Sequence, residues 1–230
     1  MCASIVKDHT HSKRYGIKMD YAKQIAEAGL KIGAIKVQPE QPFLWASGHR
    51  MPIYNDNRLF LFYPEYRSLI AAGLEALMEG IKAEVIASAA TAGIAPGYGL
   101  ADRLRLPFIY VRNKPKNHGR LNIVEGTESL NGERVVVIED LISFGGSAAK
   151  VIEAVRGIGG QVEDCISIFS YGLKESQALF EKINCKVHSI LTYSFLLKVA
   201  LEEGYFSREQ LDMLKDWQSE PKKWWEKWEK

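Results

Sequence analysis

Residues 135–147, which read VVVIEDLISFGGS, carry the strongest pattern in the chain. The run of apolar residues predicts a buried strand, which we expect to end at two adjacent carboxylates, Glu139 and Asp140. A short turn, LISF, then leads to GGS, where a helix is predicted to begin. Since open parallel sheets bind ligands at the carboxyl ends of their strands, this stretch is expected to hold the functional site.

The chemistry of this stretch favours a ligand that carries a phosphate. Glycines allow a tight turn close to a ligand, and a helix N-terminus offers free N–H groups and a positive dipole end. Two carboxylates beside that phosphate suit hydroxyl groups or a hard cation such as Mg²⁺, so a ribose phosphate fits. The glycine patterns of a P-loop and of a dinucleotide-binding turn are missing. A tight turn with incidental carboxylates is the alternative.

Further apolar runs alternate with helical segments on both sides of this stretch. Strand-like runs lie at 85–90, 108–112, 135–140, 162–171 and 187–193, and helical periodicity at about 93–104, 145–157, 174–183 and 194–203. Strands that are apolar throughout are typical of a parallel sheet covered by helices. The predicted fold class is therefore α/β, with a parallel sheet of about five strands flanked by helices.

The chain is predicted to form a single domain, since no repeat or linker interrupts residues 1–230. Residues 1–18 are polar and are expected to be a flexible extension, with Asp20 as the N-cap of the first helix. Two short extended pieces are predicted on either side of Ser47-Gly48. Residues 205–230 read as a helical tail, which we expect to pack on its own domain or on a partner copy.

Composition excludes several classes of protein. The 230 residues are 47% hydrophobic and 25% charged, as in globular proteins, and the formal net charge of +2 gives no electrostatic argument for a nucleic-acid partner. No apolar run reaches the roughly 18 residues that a membrane span needs, so no membrane partner is expected. Three cysteines without metal-site spacing favour a reducing, cytoplasmic location.

A long segment between two predicted strands is rich in cations. The 22 residues after position 112 lack helical periodicity, and loops of that length are usually lids or binding loops. The run RNKPKNHGR contains no carboxylate, and its cations could converge on one anion if it is extended. These are Arg112, Lys114, Lys116, His118 and Arg120. A solvated basic loop is the alternative.

The stretch VVVIEDLISFGGS resembles the phosphoribosyl-pyrophosphate (PRPP) signature of the type I phosphoribosyltransferases. YVRNKPKNHGRLNIVEG (110–126), FLWASGHRMPIYNDNR (43–58) and SAATAGIAP (88–96) resemble segments of orotate phosphoribosyltransferases. The resemblance covers about residues 20–200. It implies a type I phosphoribosyltransferase-like fold in which residues 20–60 form a small N-terminal hood and base-binding segment.

The resemblance also implies a reaction and a set of site residues. Orotate and PRPP would give orotidine 5′-phosphate and pyrophosphate in UMP biosynthesis, with Mg²⁺ held mainly through PRPP and water near Asp140 and Glu139. Residues 88–93 would hold pyrophosphate, and the basic loop would close over it and be shared across a homodimer. Catalytic roles are implied for Lys116, His118, Arg112 and Asp140. PRPP binding is implied for Arg112, Lys116, His118, Glu139, Asp140, Leu141, Ile142, Ser143, Phe144, Gly145, Gly146 and Ser147.

Several positions depart from the family pattern. Phe144 stands where the signature has a threonine, so a hydroxyl that would contact the 5′-phosphate is missing. Two lysines that some family members carry are replaced by Ala46 and Ala92. A third departure lies in the basic loop, where Asn113 occupies a family position and Lys114 is displaced by one. The arginine that some members use for the carboxylate of orotate aligns with Tyr171.

Orotate binding is therefore assigned to Ser143 and Arg58, with Lys174 as a more distant candidate for the cation. A purely structural ion pair is the alternative role for Arg58. Two other functions remain open at this point: a phosphoribosyltransferase for another nucleobase, and a non-enzymatic PRPP-sensing regulator.

Overall fold

The computed structural model describes residues 9–45, 48, 50–112 and 123–227, with backbone alone for residues 9–19, 225 and 227. The strands are β1 (Ile35–Val37), β2 (Phe43–Leu44), β3 (Arg50–Met51), β4 (Ile53–Asn55), β5 (Val85–Ala89), β6 (Phe108–Val111), β7 (Val124–Glu125), β8 (Arg134–Ile142), β9 (Gln161–Ser170) and β10 (Lys186–Thr192). The helices are α1 (His9–Lys31), α2 (Pro64–Leu77), α3 (Ile94–Leu104), α4 (Gly146–Gly157), α5 (Lys174–Lys182), α6 (Tyr193–Glu202) and α7 (Arg208–Ser219), with 3₁₀ helices at Asn57–Phe62 and Trp224–Lys227.

A central sheet organises the molecule in the strand order β10-β9-β8-β5-β6-β7. The five predicted strands are present and pair in parallel, which confirms the α/β fold class. The sixth strand, β7, is antiparallel to β6 and was not predicted. Its two residues are too few to show the alternation on which such predictions rest.

Successive side chains of β8 point alternately to the two faces of the sheet, and each face carries its own hydrophobic core. Val136 and Ile138 pack in the core that contains residues of α1, α2, α3 and α6. Val135 and Val137 pack in the core on the α4 face. Both sets are buried because successive side chains of a strand point to opposite faces.

The hood contains two small antiparallel pairs, β1 with β4 and β2 with β3. The predicted extended pieces flank Gly48, which has a φ of +81°. That left-handed conformation is one that glycine adopts readily. The turn therefore brings β3 back beside β2.

The N-terminal helix begins earlier than the sequence indicated. Asp20 was predicted to be an N-cap, but α1 already runs from His9 to Lys31, and Asp20 Oδ2 accepts a hydrogen bond from Gln24 Nε2 at 2.8 Å. Residues 9–18 are thus helical rather than a flexible extension, and no proline interrupts α1. Residues 1–8 lie outside the described part of the chain.

The C-terminal tail packs on its own domain, as expected. The Trp217 ring is fully buried, with ring-centroid distances of 5.1 Å to Tyr193, 5.3 Å to Tyr171 and 6.5 Å to Trp45. Its Nε1 lies 2.9 Å from the Met51 sulfur in the hood. Trp217 therefore joins α7 to both the sheet and the hood.

Within the described residues, no helix is long and apolar enough to cross a membrane.

Truncating this ring should destabilise the whole domain. We expect Trp217→Ala to lower the free energy of unfolding by about 3–5 kcal/mol, because it leaves a cavity between hood, sheet and tail. Tyr205→Ala, at a residue that is 48% exposed, serves as the control and should cost less than about 1 kcal/mol. Urea unfolding measures both values, and equal losses would contradict a linking role for Trp217.

Candidate active site

The strand that carries the carboxylates is longer than the sequence indicated. It was expected to end at Glu139 and Asp140, but β8 continues to Ile142, which pairs with Ser170 of β9. Leu141 and Ile142, the first half of the predicted turn, therefore belong to β8, because both pair with β9. The connection to α4 shortens to three residues, 143–145.

The two carboxylates lie inside the last four residues of β8 and belong to opposite faces of the sheet. Asp140 lines a cavity between the 3₁₀ helix, α2 and α3, and Glu139 lies on the face that α4 covers. Glu139 is only 5% exposed. Its Oε1 accepts the Asp140 N–H at 3.1 Å, and its buried Oε2 has no partner among the described residues.

Burial governs the charge of this pair. Burial, reinforced by the negative charge of Asp140, raises the pKa of Glu139 to about 8. Burial also raises the pKa of Asp140, while hydrogen bonds and the Arg58 charge act in the opposite direction. A ligand hydroxyl or a metal-bound water could satisfy the unpartnered oxygen of Glu139, which is the chemistry that the sequence predicted for this pair.

The loop after β8 has the geometry of an anion site. Gly145 is the N-cap of α4, with a φ of +83°, and a Cβ there would lie 2.9 Å from a Phe180 ring carbon. No side chain caps this helix, so its first N–H groups remain available. The Ser143 hydroxyl is buried without a described partner, and Ser147 is exposed at the start of α4.

The loop after β5 lies directly beside this site. A Cβ on Gly93 would be 2.8 Å from the Ala89 carbonyl oxygen and 3.0 Å from that of Ile138, the residue before Glu139. Ala92 lines the same cavity as Asp140. The peptide bond between Ala90 and Thr91 is cis, a feature for which the sequence carries no signal. Residues 88–93 are thus next to the acidic pair.

The cavity beside Asp140 has a volume of about 440 Å³. Asn57, Arg58 and Asp140 are among its polar lining residues, and Ile70 and Pro96 are among its apolar ones. The buried Asn57 donates from Nδ2 to the Asp140 carbonyl oxygen at 2.7 Å. This bond holds the 3₁₀ helix against the end of β8, and sequence reasoning did not single out Asn57.

Arg58 reaches the cavity but is also ion-paired. Its Nε lies 2.6 Å from Asp56 Oδ1 and its Nη2 2.8 Å from Asp56 Oδ2. The structural ion pair that was the alternative role for Arg58 is therefore present. The guanidinium is largely exposed, so it remains accessible from the cavity. Lys174 is exposed in the first turn of α5.

The basic loop connects two paired strands. Arg112 follows β6, its N–H donates to the Ile123 carbonyl at 2.8 Å, and its Nη1 lies 3.4 Å from Glu125 Oε1 in β7. The predicted loop therefore leaves and re-enters the sheet at one edge. Lys116 and His118 lie outside the described residues, as does Ala46.

Two other contacts were missed by sequence reasoning. The Lys222 ammonium in the tail lies 5.0 Å from the centroid of the Phe144 ring, in the loop after β8. His188 lies 2.8 Å from Asp164 Oδ1, and the pairing of neighbouring strands brings the two side chains together. Tyr171, at the family's arginine position, is buried among aromatic rings.

Comparisons with known proteins show which family this chain belongs to. A family model described as a phosphoribosyl transferase domain matches residues 65–201. The chain is 45% identical over 210 residues to an orotate phosphoribosyltransferase of Streptococcus pneumoniae, covering 90% of this chain and 100% of that protein. It is 43% identical over 208 residues to an orotate phosphoribosyltransferase of Cytophaga hutchinsonii, covering 90% and 99%.

Solved structures show the same architecture. Orotate phosphoribosyltransferase from Aeropyrum pernix superposes with a TM-score of 0.67 at 28% identity, covering 80% of this chain and 99% of that one. Leishmania donovani UMP synthase superposes with a TM-score of 0.72 at 22% identity, covering 86% of this chain and 42% of that one, which shows the shared fold. The chain therefore belongs to the phosphoribosyltransferase family and, within it, to the orotate phosphoribosyltransferases.

Proposed function

We propose that this protein catalyses the Mg²⁺-dependent transfer of ribose 5-phosphate from PRPP to orotate, giving orotidine 5′-phosphate and pyrophosphate in pyrimidine biosynthesis. The observation that carries the proposal is the acidic pair beside the uncapped N-terminus of α4, in which Glu139 is buried and Asp140 is half-buried. That pair lies in a chain which is 45% identical to an orotate phosphoribosyltransferase over that protein's whole length.

Different site residues would bind different parts of PRPP. The N–H groups of residues 143–147 would bind the 5′-phosphate, and Glu139 and Asp140 would orient the ribose hydroxyls. The loop at residues 88–93 would hold pyrophosphate through its backbone N–H groups. In the reaction, the bond from the anomeric carbon to pyrophosphate breaks and a ring nitrogen of orotate bonds to that carbon.

The transition state is expected to be oxocarbenium-like, with negative charge growing on the departing pyrophosphate. Cations from the basic loop, Arg112, Lys116 and His118, would stabilise that charge electrostatically. Arg112 lies at the edge of the sheet where the loop begins, which supports this role.

A magnesium ion would be held mainly by PRPP and water. Among the described residues, no group of three His, Cys, Asp or Glu side chains could hold a metal. The donors next to the ligand site are the carboxylates Glu139 and Asp140, which are the hard oxygen ligands that Mg²⁺ prefers. The unpartnered Glu139 oxygen fits a metal-bound water, and the ion would offset charge on the pyrophosphate.

The orotate carboxylate requires a cation, and Arg58 is the candidate that lines the cavity beside Asp140. Binding through Arg58 would share its guanidinium between Asp56 and the substrate. The unpartnered Ser143 hydroxyl supports a second contact with orotate.

A homodimer with a shared basic loop is part of the proposal. Phe62 is 83% exposed, Tyr98 is 59% exposed, and Leu59 and Leu61 beside them are also exposed. Leu61 and Tyr98 line the same cavity mouth, so these side chains form an apolar patch that a second copy could cover.

A cytoplasmic location is proposed because Cys165 and Cys185 are free, buried thiols.

The test is an assay of purified protein with Mg²⁺, PRPP and orotate, in which the loss of orotate's ultraviolet absorbance is followed. A fall that requires both Mg²⁺ and PRPP supports the proposal. No fall from a protein that still binds PRPP would move the assignment to another nucleobase or to a PRPP sensor, and a panel of bases would separate those two.

Removing a cation of the basic loop should slow the reaction. Lys116→Ala is expected to reduce turnover about 10²–10³-fold, or about 2.7–4 kcal/mol, as when one donor to a developing negative charge is lost. Lys82→Ala, which removes an exposed lysine just before β5, is the control. Steady-state rates measure the effect, and unchanged turnover in Lys116→Ala would exclude this role.

A methyl group at Gly93 should disturb the pyrophosphate loop. In Gly93→Ala the new Cβ meets two backbone carbonyl oxygens that cannot move independently, so we expect at least about tenfold weaker binding of pyrophosphate. Gly99→Ala, where the new Cβ meets open space in α3, is the control. Calorimetry gives both affinities, and equal affinities would be inconsistent with the proposed loop.

Glu139 should make the stability of the ligand-free protein depend on pH. Its pKa is higher in the folded chain, at about 8, than the ordinary 4.5, so its contribution to stability is complete below about pH 4.5 and is lost as pH rises through about 8. Wild type should therefore lose about 2–4 kcal/mol relative to Glu139→Gln between pH 5 and pH 8.

Urea unfolding at each pH measures this difference, because groups that titrate alike in both proteins cancel. Parallel stability curves for wild type and Glu139→Gln would show that Glu139 keeps an ordinary pKa in the folded protein.

A further inference from the structure

The tail places one cation against the loop that follows β8. Lys222 is exposed, and its ammonium lies 5.0 Å from the centroid of the Phe144 ring. At that distance the ring face attracts a cation. The ring is itself half-buried against the core, so its position is set by packing.

Buried residues on both sides of Lys222 fix this part of the tail. Trp217 and Trp224 are 0% and 1% exposed, and Pro221 is buried. Gln218 Nε2 donates to the Tyr171 carbonyl oxygen at 2.7 Å, which ties the end of α7 to the segment after β9. The backbone that carries Lys222 is therefore anchored next to the loop.

The charge of Lys222 is not committed to a carboxylate among the described residues. Its neighbour Lys223, by contrast, lies 3.8 Å from Glu220. Each ammonium has three N–H donors and no acceptor, so Lys222 can bind an anion while it stays over the ring.

The loop itself needs a cation if it binds a phosphate. Residues 143–147 contain no charged side chain, and the carboxylates of Glu139 and Asp140 at the end of β8 would repel a phosphate when ionised. The N-terminus of α4 supplies part of the compensating charge. Lys222 is a described cation that contacts a side chain of this loop.

We propose that Lys222 is a further substrate-binding residue, whose ammonium contacts the 5′-phosphate bound at residues 143–147, with the Phe144 ring as its support. The inference rests on the proposed function, since it takes the phosphate end of that substrate as the ligand. In this arrangement the phenylalanine supplies no donor itself but holds one in place.

The test measures binding of ribose 5-phosphate by calorimetry, which requires neither orotate nor turnover. Lys222→Met should weaken this binding roughly 10- to 100-fold, as expected for a lost hydrogen bond between charged groups, and should reduce its salt dependence. Lys222→Arg should retain most of the affinity. Lys223→Met is the matched control, an adjacent exposed lysine, and should change affinity less than about twofold.

The support by Phe144 is tested with a double-mutant cycle. Phe144→Leu should also weaken binding of ribose 5-phosphate, and it should add little in the Lys222→Met background because both changes remove one arrangement. Near-ultraviolet circular dichroism of the tryptophan cluster checks that each variant is folded. Independent, additive effects would overturn the support by the ring.

Equal affinities in Lys222→Met and Lys223→Met would overturn the proposal. An effect on the KM for orotate alone, with ribose 5-phosphate binding intact, would overturn the phosphate assignment and place Lys222 at the base. A failure of the orotate assay with Lys222-dependent binding of ribose 5-phosphate would instead reject the proposed reaction and leave this inference standing.

Discussion

The pairing of β8 with β5 on one side and β9 on the other is the interaction on which the site depends. β9 pairs with β8 as far as Ile142, so the backbone around Glu139 and Asp140 is held inside the sheet. A buried Glu139 beside a half-buried Asp140 would not be held at a strand end without that support, because desolvation of a charged group is costly. Their raised pKa values are the electrostatic consequence of that rigid position.

Other parts of the chain converge on this strand end. Asn57 bonds the carbonyl of Asp140, Gly93 lies against the carbonyl of Ile138, and Gly145 turns the chain into α4. The tail reaches the same place, since α7 is fixed by Trp217 and brings Lys222 to the Phe144 ring. The site is therefore assembled from segments far apart in sequence, around one rigid edge.

Prediction from sequence succeeded where a pattern is local. The five parallel strands and the turn at Gly48 were predicted correctly, because apolar runs favour buried strands and glycine readily adopts a positive φ. Strand β7 and the extension of β8 to Ile142 were missed, because pairing with a neighbouring strand decides them. The early start of α1 was missed because Asp20 is a good N-cap residue type that here lies inside a helix.

Contacts between distant segments were the least predictable. Nothing in the local sequence links Asn57 to Asp140, His188 to Asp164, or Lys222 to Phe144, since each pair forms only in the folded chain. Arg58 was predicted to be a cation near the base-binding pocket, and it lines the cavity. Its guanidinium binds both carboxylate oxygens of Asp56, so Asp56 would compete with a substrate carboxylate for Arg58.

The most direct test of the central claim is a crystal structure of the protein with Mg²⁺ and PRPP. The 5′-phosphate should lie against the N–H groups of residues 143–147, with the ribose hydroxyls at Glu139 and Asp140 and pyrophosphate at residues 88–93. A phosphate bound elsewhere, such as in the cavity between the 3₁₀ helix and α3, with the end of β8 free of ligand, would contradict the account.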